Sequence, residues 1–117
     1  MTKAQRQYFI DILKRIRQIE RFTAGGEDVF YSDDRTQEAT IRCFEVIGEA
    51  IKRLDPSLTA QYPNVPWRGF AGMRDVLIHQ YDDVQLDTIW ETIHEDIPTL
   101  KEAVQALLDS LPDEDNT

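Results

Sequence analysis

The sequence predicts an all-α, up-and-down bundle of four to five helices, and three observations predict it. Apolar residues recur at three- and four-residue spacing along most of the 117 residues, and no segment has the strict alternation of a half-buried strand. The periodic stretches are separated by helix punctuation: Gly25-Gly26, Asp55-Pro56, Pro63 and Pro66. Hydrophobic residues make up 41% of the chain, enough at this length for one core without disulfide or metal staples. One domain over 1–111 is expected, followed by a short acidic tail over 112–117.

The first helix, roughly 4–23, turns Phe9, Ile12, Leu13, Ile16 and Ile19 to one side. It ends before Gly25-Gly26, which can take the left-handed conformation of a helix stop. A loop is expected from there to about Tyr31. Ser32-Asp33-Asp34 offers acceptors for the start of a second helix, which carries Phe44, Ile47, Ala50, Ile51 and Leu54 to Asp55-Pro56. Gly48 weakens that helix, which points to close approach by another. Ser57 is placed to cap a short turn through Tyr62, and Pro63 and Pro66 then break the chain. The next helix starts near Pro66-Trp67, since proline is favoured in a first turn. The last, about 86–110, sets Leu86, Ile89, Trp90, Ile93, Ile97, Leu100, Val104 and Leu107 in one stripe that reaches Leu111, with a kink expected at Pro98. Residues 112–117 read as disordered.

Net charge is −9, which is unfavourable for holding a polyanion, but the charge is unevenly spread. Residues 1–24 carry Lys3, Arg6, Lys14, Arg15, Arg17 and Arg21 against Asp11 and Glu20, net +4. Residues 82–117 carry eleven acids against Lys101, net −10, and the middle holds the remaining −3. At 100° per residue, Lys3, Arg6, Lys14, Arg17 and Arg21 fall within an arc of about 80° opposite Ile12, Ile16 and Ile19. Such a stripe is either a solvated face or a track for phosphates, and on the second reading Lys14, Arg17 and Arg21 are candidate RNA contacts.

The single cysteine, Cys43, lies in an apolar stripe and implies a reducing compartment rather than a disulfide framework. Met1–Gln7 lacks the apolar segment of a secretory signal, and no apolar run nears membrane-spanning length, so a cytoplasmic protein is expected. There is no Gly-rich phosphate loop and no Cys/His metal spacing. His94-Glu95-Asp96 reads as helix surface rather than a metal site, and no cofactor is implied.

Arg74-Asp75-Val76-Leu77-Ile78-His79-Gln80-Tyr81 carries the chemistry. It places a fixed cation, an imidazole and a phenol within about two turns of one helix. Imidazole has an unperturbed pKa of ~6.5 and can both take and give a proton at neutral pH. Guanidinium can brace a phosphate or its pentavalent transition state. Together they can cleave a phosphodiester without a metal. Nine Arg and two His in the chain make about 0.15 chance Arg-x4-His pairs, and requiring the Tyr lowers this to about 0.005. A packing histidine is the competing use of a lone His on a helix.

The motif has company: Glu45-Val46-Ile47-Gly48-Glu49-Ala50-Ile51-Lys52-Arg53-Leu54 upstream, then Tyr62-Pro63-Asn64-Val65-Pro66-Trp67-Arg68, Ala71-Gly72-Met73 leading into Arg74, and finally Trp90-Glu91-Thr92-Ile93 and Asp96-Ile97-Pro98-Thr99-Leu100-Lys101. In this order and spacing, over nearly the whole chain, these segments resemble the HepT-like HEPN family. The resemblance implies an HEPN-like helical bundle that dimerises by two-fold symmetry around the motif. It implies the toxin of a type VII-like toxin–antitoxin pair, acting as a metal-independent endoribonuclease. It puts Arg74 and His79 at the catalytic positions. Tyr81 falls at the tyrosine that a cognate minimal nucleotidyltransferase, MntA-like, modifies with AMP.

On an ideal helix Arg74 and His79 point about 140° apart and lie about 7.5 Å apart along the axis, whereas Arg74 and Tyr81 differ by about 20°. Either the Arg74 side chain or local unwinding unites them in one protomer, or a two-fold partner brings its own helix alongside; the second is favoured. On the ribonuclease reading the 2′-hydroxyl is the nucleophile, His79 is general base or acid, and Arg74 stabilises the transition state. Asp75 is placed to orient either. The alternative, from another class, is a non-catalytic HEPN helical dimer that binds a nucleotide or a protein partner.

Overall fold

Each apolar stripe of the sequence becomes the buried side of a helix. A computed structural model describes residues 2–79 and 84–112. Among the described residues there are seven helices and no strand: α1 (Thr2–Phe22), α2 (Glu27–Ser32), α3 (Asp34–Lys52), α4 (Pro56–Thr59), α5 (Trp67–His79), α6 (Leu86–Glu95) and α7 (Ile97–Ser110). With α2 and α4 only a turn or so long, the frame is five long helices: the four that the periodicity predicts, the last of them divided into α6 and α7. Among the described residues no helix is long and apolar enough to cross a membrane.

The helix α3 is central, packing α1 on one side and α5 on the other, while α1 also meets α7 and α7 meets α6. Phe9, Ile12, Ile16 and Ile19 of α1 join Phe44 and Ile47 of α3 and Leu100, Val104 and Leu107 of α7 in one fully buried core. The α1–α3 pair is antiparallel: at one end the Gln5 side chain donates to the Arg53 carbonyl (3.1 Å) and accepts from the Asp55 amide (2.7 Å), and at the other Cys43 Sγ approaches Gln18 Oε1 (3.6 Å). Gln5 thereby satisfies backbone groups freed where α3 stops.

Four local expectations change. The stretch read as a loop to Tyr31 contains α2, because Phe30 has a fully buried place to go. Of the two glycines only Gly26 has positive φ (95°), and it stands at the N-cap of α2 rather than closing α1. Asp55 rather than Ser57 caps the α4 turn, its Oδ1 accepting from the Ser57 amide and hydroxyl at 2.9 Å each. Asp33 caps α3 as the sequence predicts, accepting from Arg35 N (3.1 Å) and Thr36 Oγ1 (2.9 Å). The kink expected at Pro98 is a break at Asp96, which ends α6 and begins α7. Proline has no N–H for the His94 carbonyl, so the fault falls in the turn before it. Residues 113–117, within the expected tail, lie outside the described residues.

Candidate active site

The site starts from a glycine. A Cβ at Gly48 would lie 2.3 Å from Arg74 Cβ and 2.9 Å from the Phe70 carbonyl oxygen, so the α3–α5 crossing exists in this form because position 48 has no side chain. The close approach expected at Gly48 is therefore real, and what approaches is the base of Arg74. The fully or nearly buried Phe70 and Leu77 anchor α5 on its inner side.

Arg74 then runs along the seam, its side chain 23% exposed. Nη2 lies 3.2 Å from Glu49 Oε2 and Nη1 3.0 Å from Asp75 Oδ1, while the buried Nε has no partner among the described residues. Asp75 also meets Lys52 Nζ at 3.2 Å. Hydrogen bonds from Arg74 and then Lys52 hold the Asp75 carboxyl below the usual aspartate range. Asp75 thus orients Arg74; among the described residues it makes no bond to His79. Glu49 reaches on to Arg53 (Nη2 3.0 Å, Nε 3.1 Å), and Glu49 followed by the Tyr8 hydroxyl pushes Arg53 up from its usual value.

These groups border a trough of about 230 Å³. Its floor is one stripe of α3: Arg42, Glu45, Val46, Glu49, Ala50 and Arg53. Tyr8 and Asp11 of α1 form one wall, Arg74 and Ile78 of α5 the other. His79 is exposed in the last turn of α5, and among the described residues no hydrogen bond joins it to Arg74. Arg74 thus lines the trough while His79 does not. Around His79 the outer side of α5 exposes Gly69, Gly72 and Val76 (45%), beside apolar grooves of about 310 and 170 Å³ shared with α6. Tyr81 lies outside the described residues. Lys14, Arg17 and Arg21 are exposed on α1 but line no part of the trough. His94 sits on the α6 surface, Nδ1 2.9 Å from the Trp90 carbonyl oxygen.

Sequence reading missed Glu49, Lys52, Arg53, Arg42 and Tyr8 as site residues. The sequence does put 42, 45, 46, 49, 50 and 53 on one face of a helix, but nothing in it says that α1 and α5 flank that face.

Comparison with known proteins bears on the chain as a whole. The family model described as Ribonuclease HepT-like matches residues 12–107. The "Probable ribonuclease HepT" of Thermococcus cleftensis is 44% identical over 103 residues, 86% of this chain and 93% of that protein. The "Gamma-glutamylcyclotransferase and putative RNase MJ0434" of Methanocaldococcus jannaschii is 41% identical over 112 residues, 95% of this chain; the chain spans only half (50%) of that relative's length. No solved structure matches. With the matched span running from within α1 through Arg74 and His79 into α7, the chain belongs to the HepT-like ribonuclease family.

Proposed function

We propose that this chain is a metal-independent endoribonuclease, the toxin of a toxin–antitoxin pair. The observation that carries the reading is a half-buried guanidinium, Arg74, aimed along a solvent-open trough from the helix whose last turn bears the exposed His79. His79 takes the proton of an RNA 2′-hydroxyl. The 2′-oxygen attacks phosphorus, the bond to the 5′-oxygen breaks, and a proton returns to that oxygen, leaving a cyclic phosphate and a 5′-hydroxyl. Arg74 offsets the charge gathering on the phosphoryl oxygens. The divergent directions of Arg74 and His79 favour a site completed in a two-fold homodimer, with the Gly72–Val76 side of α5 near the axis and a second His79 for the second proton transfer.

Tyr81 is the control point on this reading. Its oxygen attacks the α-phosphorus of ATP bound to the nucleotidyltransferase antitoxin, pyrophosphate leaves, and the phenol proton is lost. The attached AMP brings bulk and negative charge to the phosphate site. Lys14, Arg17 and Arg21 serve as an outlying track for RNA.

One observation favours the non-catalytic reading: Arg74 is already engaged by Glu49 and Asp75. The two part on purified protein. RNA cleavage that persists in EDTA and is lost by ~10²–10⁴-fold in folded His79→Ala and Arg74→Ala supports the nuclease. Cleavage unchanged in His79→Ala, or abolished by EDTA, sinks it. Co-expression with the antitoxin should add one or more AMP masses to wild type and none to Tyr81→Phe, which should escape inactivation.

A further inference from the structure

Besides Arg74 the trough holds two guanidiniums that the ribonuclease reading leaves unused, Arg42 and Arg53. Arg53 Nη2 and Nε lie 3.0 and 3.1 Å from Glu49 Oε1, while Arg74 Nη2 lies 3.2 Å from Glu49 Oε2. One carboxylate is bracketed by two guanidiniums, one on each oxygen. A phosphodiester offers a guanidinium fork the same pair of acceptor oxygens as a carboxylate does. The place Glu49 occupies is therefore one that a phosphate can take. Exchange is open from solvent, since the Arg53 and Glu49 side chains are 59% and 39% exposed and ion pairs so exposed are screened and weakly held. Tyr8, on the opposite wall from Arg74, offers an aromatic surface in the same trough, and single-stranded RNA is held by phosphate contacts combined with base stacking.

We propose that Arg53 is a second phosphate-binding arginine, aligned with Arg74 by Glu49, and that the RNA strand flanking the cleaved bond lies in this trough with a base against Tyr8. The inference rests on the ribonuclease reading and adds the path of the strand to it. Asp11 and Glu45 border the same trough. They repel phosphate but accept hydrogen bonds from exocyclic amino groups, so the strand turns base edges toward them. Lys14, Arg17 and Arg21 lie elsewhere on α1, which makes the two candidate tracks separable by mutation.

The test uses full-length protein and a single-stranded RNA methylated at every 2′-oxygen, which has no nucleophile and stays intact. Its affinity is followed across a salt series. Arg53→Ala should bind several-fold more weakly and lower the slope of log K against log salt by about 1; Arg53→Lys should keep the slope. On unmodified RNA, Arg53→Ala should raise KM with kcat within a few-fold of wild type, where Arg74→Ala loses kcat. Glu49→Gln removes an acid from the strand's path together with the alignment of both arginines. It should bind RNA more tightly yet cleave with lower kcat, a split that general destabilisation does not produce. Should Arg53→Ala fail to fold by circular dichroism, Arg53→Gln carries the same test. If wild type cleaves RNA while the folded Arg53 variant keeps wild-type affinity and salt slope, the inference falls and the ribonuclease reading stands. If wild type neither binds nor cleaves RNA, both fall.

Discussion

A methyl at Gly48 has nowhere to go, because one of the atoms it meets is the Phe70 backbone oxygen. Gly48→Ala gains about 1 kcal/mol of helix propensity but must push α5 away, and overpacking of this kind costs about 1–3 kcal/mol. A net loss in urea unfolding is expected, and RNA cleavage should fall by more than the folded fraction does, since Arg74 moves with the backbone. Wild-type activity in folded Gly48→Ala would show that the crossing does not set the arginine. Charge pairs at this scale have a pH signature. Asp75, Asp33 and Asp55 all have folded pKa values below the usual, through Arg74 and Lys52, through Thr36 and the Arg35 amide, and through the Ser57 amide and hydroxyl respectively. A depressed carboxyl pKa stabilises the fold above the unfolded value, and that stability is lost as pH falls through the folded one. Thermal stability should therefore be flat through neutrality and drop below about pH 4. Asp33→Asn, which keeps a capping acceptor without the charge, should soften the drop. Gly48 was legible in the sequence because glycine inside a helix needs a reason. Glu49 was not, since a glutamate on a helix is ordinary until its neighbour across the seam is known.

At the scale of elements, the unexpected helix is α2. Its six residues are too few to stand alone, and what holds it is burial. Phe30 is 0% exposed, 5.1 Å by ring centroids from Trp90, and the Tyr31 hydroxyl donates to Asp87 of α6, a bond that pushes Tyr31 up to about 12. Phe30→Ala should cost about 3–5 kcal/mol, measured by chemical unfolding. A loss near zero would mean the segment behaves as the loop that the preceding Gly25-Gly26 suggests. The long helices were legible because their stripes run over several turns, each confirming the last. A six-residue helix offers one apolar anchor, and periodicity has nothing to repeat. The same limit moved the Pro98 kink to Asp96: the sequence locates the missing donor, while the backbone locates where the chain yields.

For the whole molecule, the separation of Arg74 from His79 makes oligomeric state the sharpest question. Light scattering should give a dimer at micromolar concentration, and Val76→Glu, which places charge on the exposed side of α5, should yield folded monomers with little activity. An active monomer would defeat the shared-site proposal. The all-α frame was legible from the sequence as four long helices, except for the break that divides the last of them at Asp96. The trough was not, because its walls come from residues 8–11, 42–53 and 74–78, and only tertiary packing brings α1 beside them. The α1 stripe illustrates the converse: Lys14, Arg17 and Arg21 are as exposed as their azimuths predict, yet a helical wheel cannot say which side of the bundle a stripe will face.

Cys43 gives the core a clock. It is the chain's one thiol, 0% exposed between α1 and α3, and burial, ahead of the opposing pull of Arg15, pushes its pKa up. A thiol reagent meets it only when those two helices part, so the labelling rate reads how often the central pair opens. If that opening is global, each 1.4 kcal/mol lost to a core substitution should speed labelling about tenfold. Changes confined to the outer side of α5 should leave it untouched.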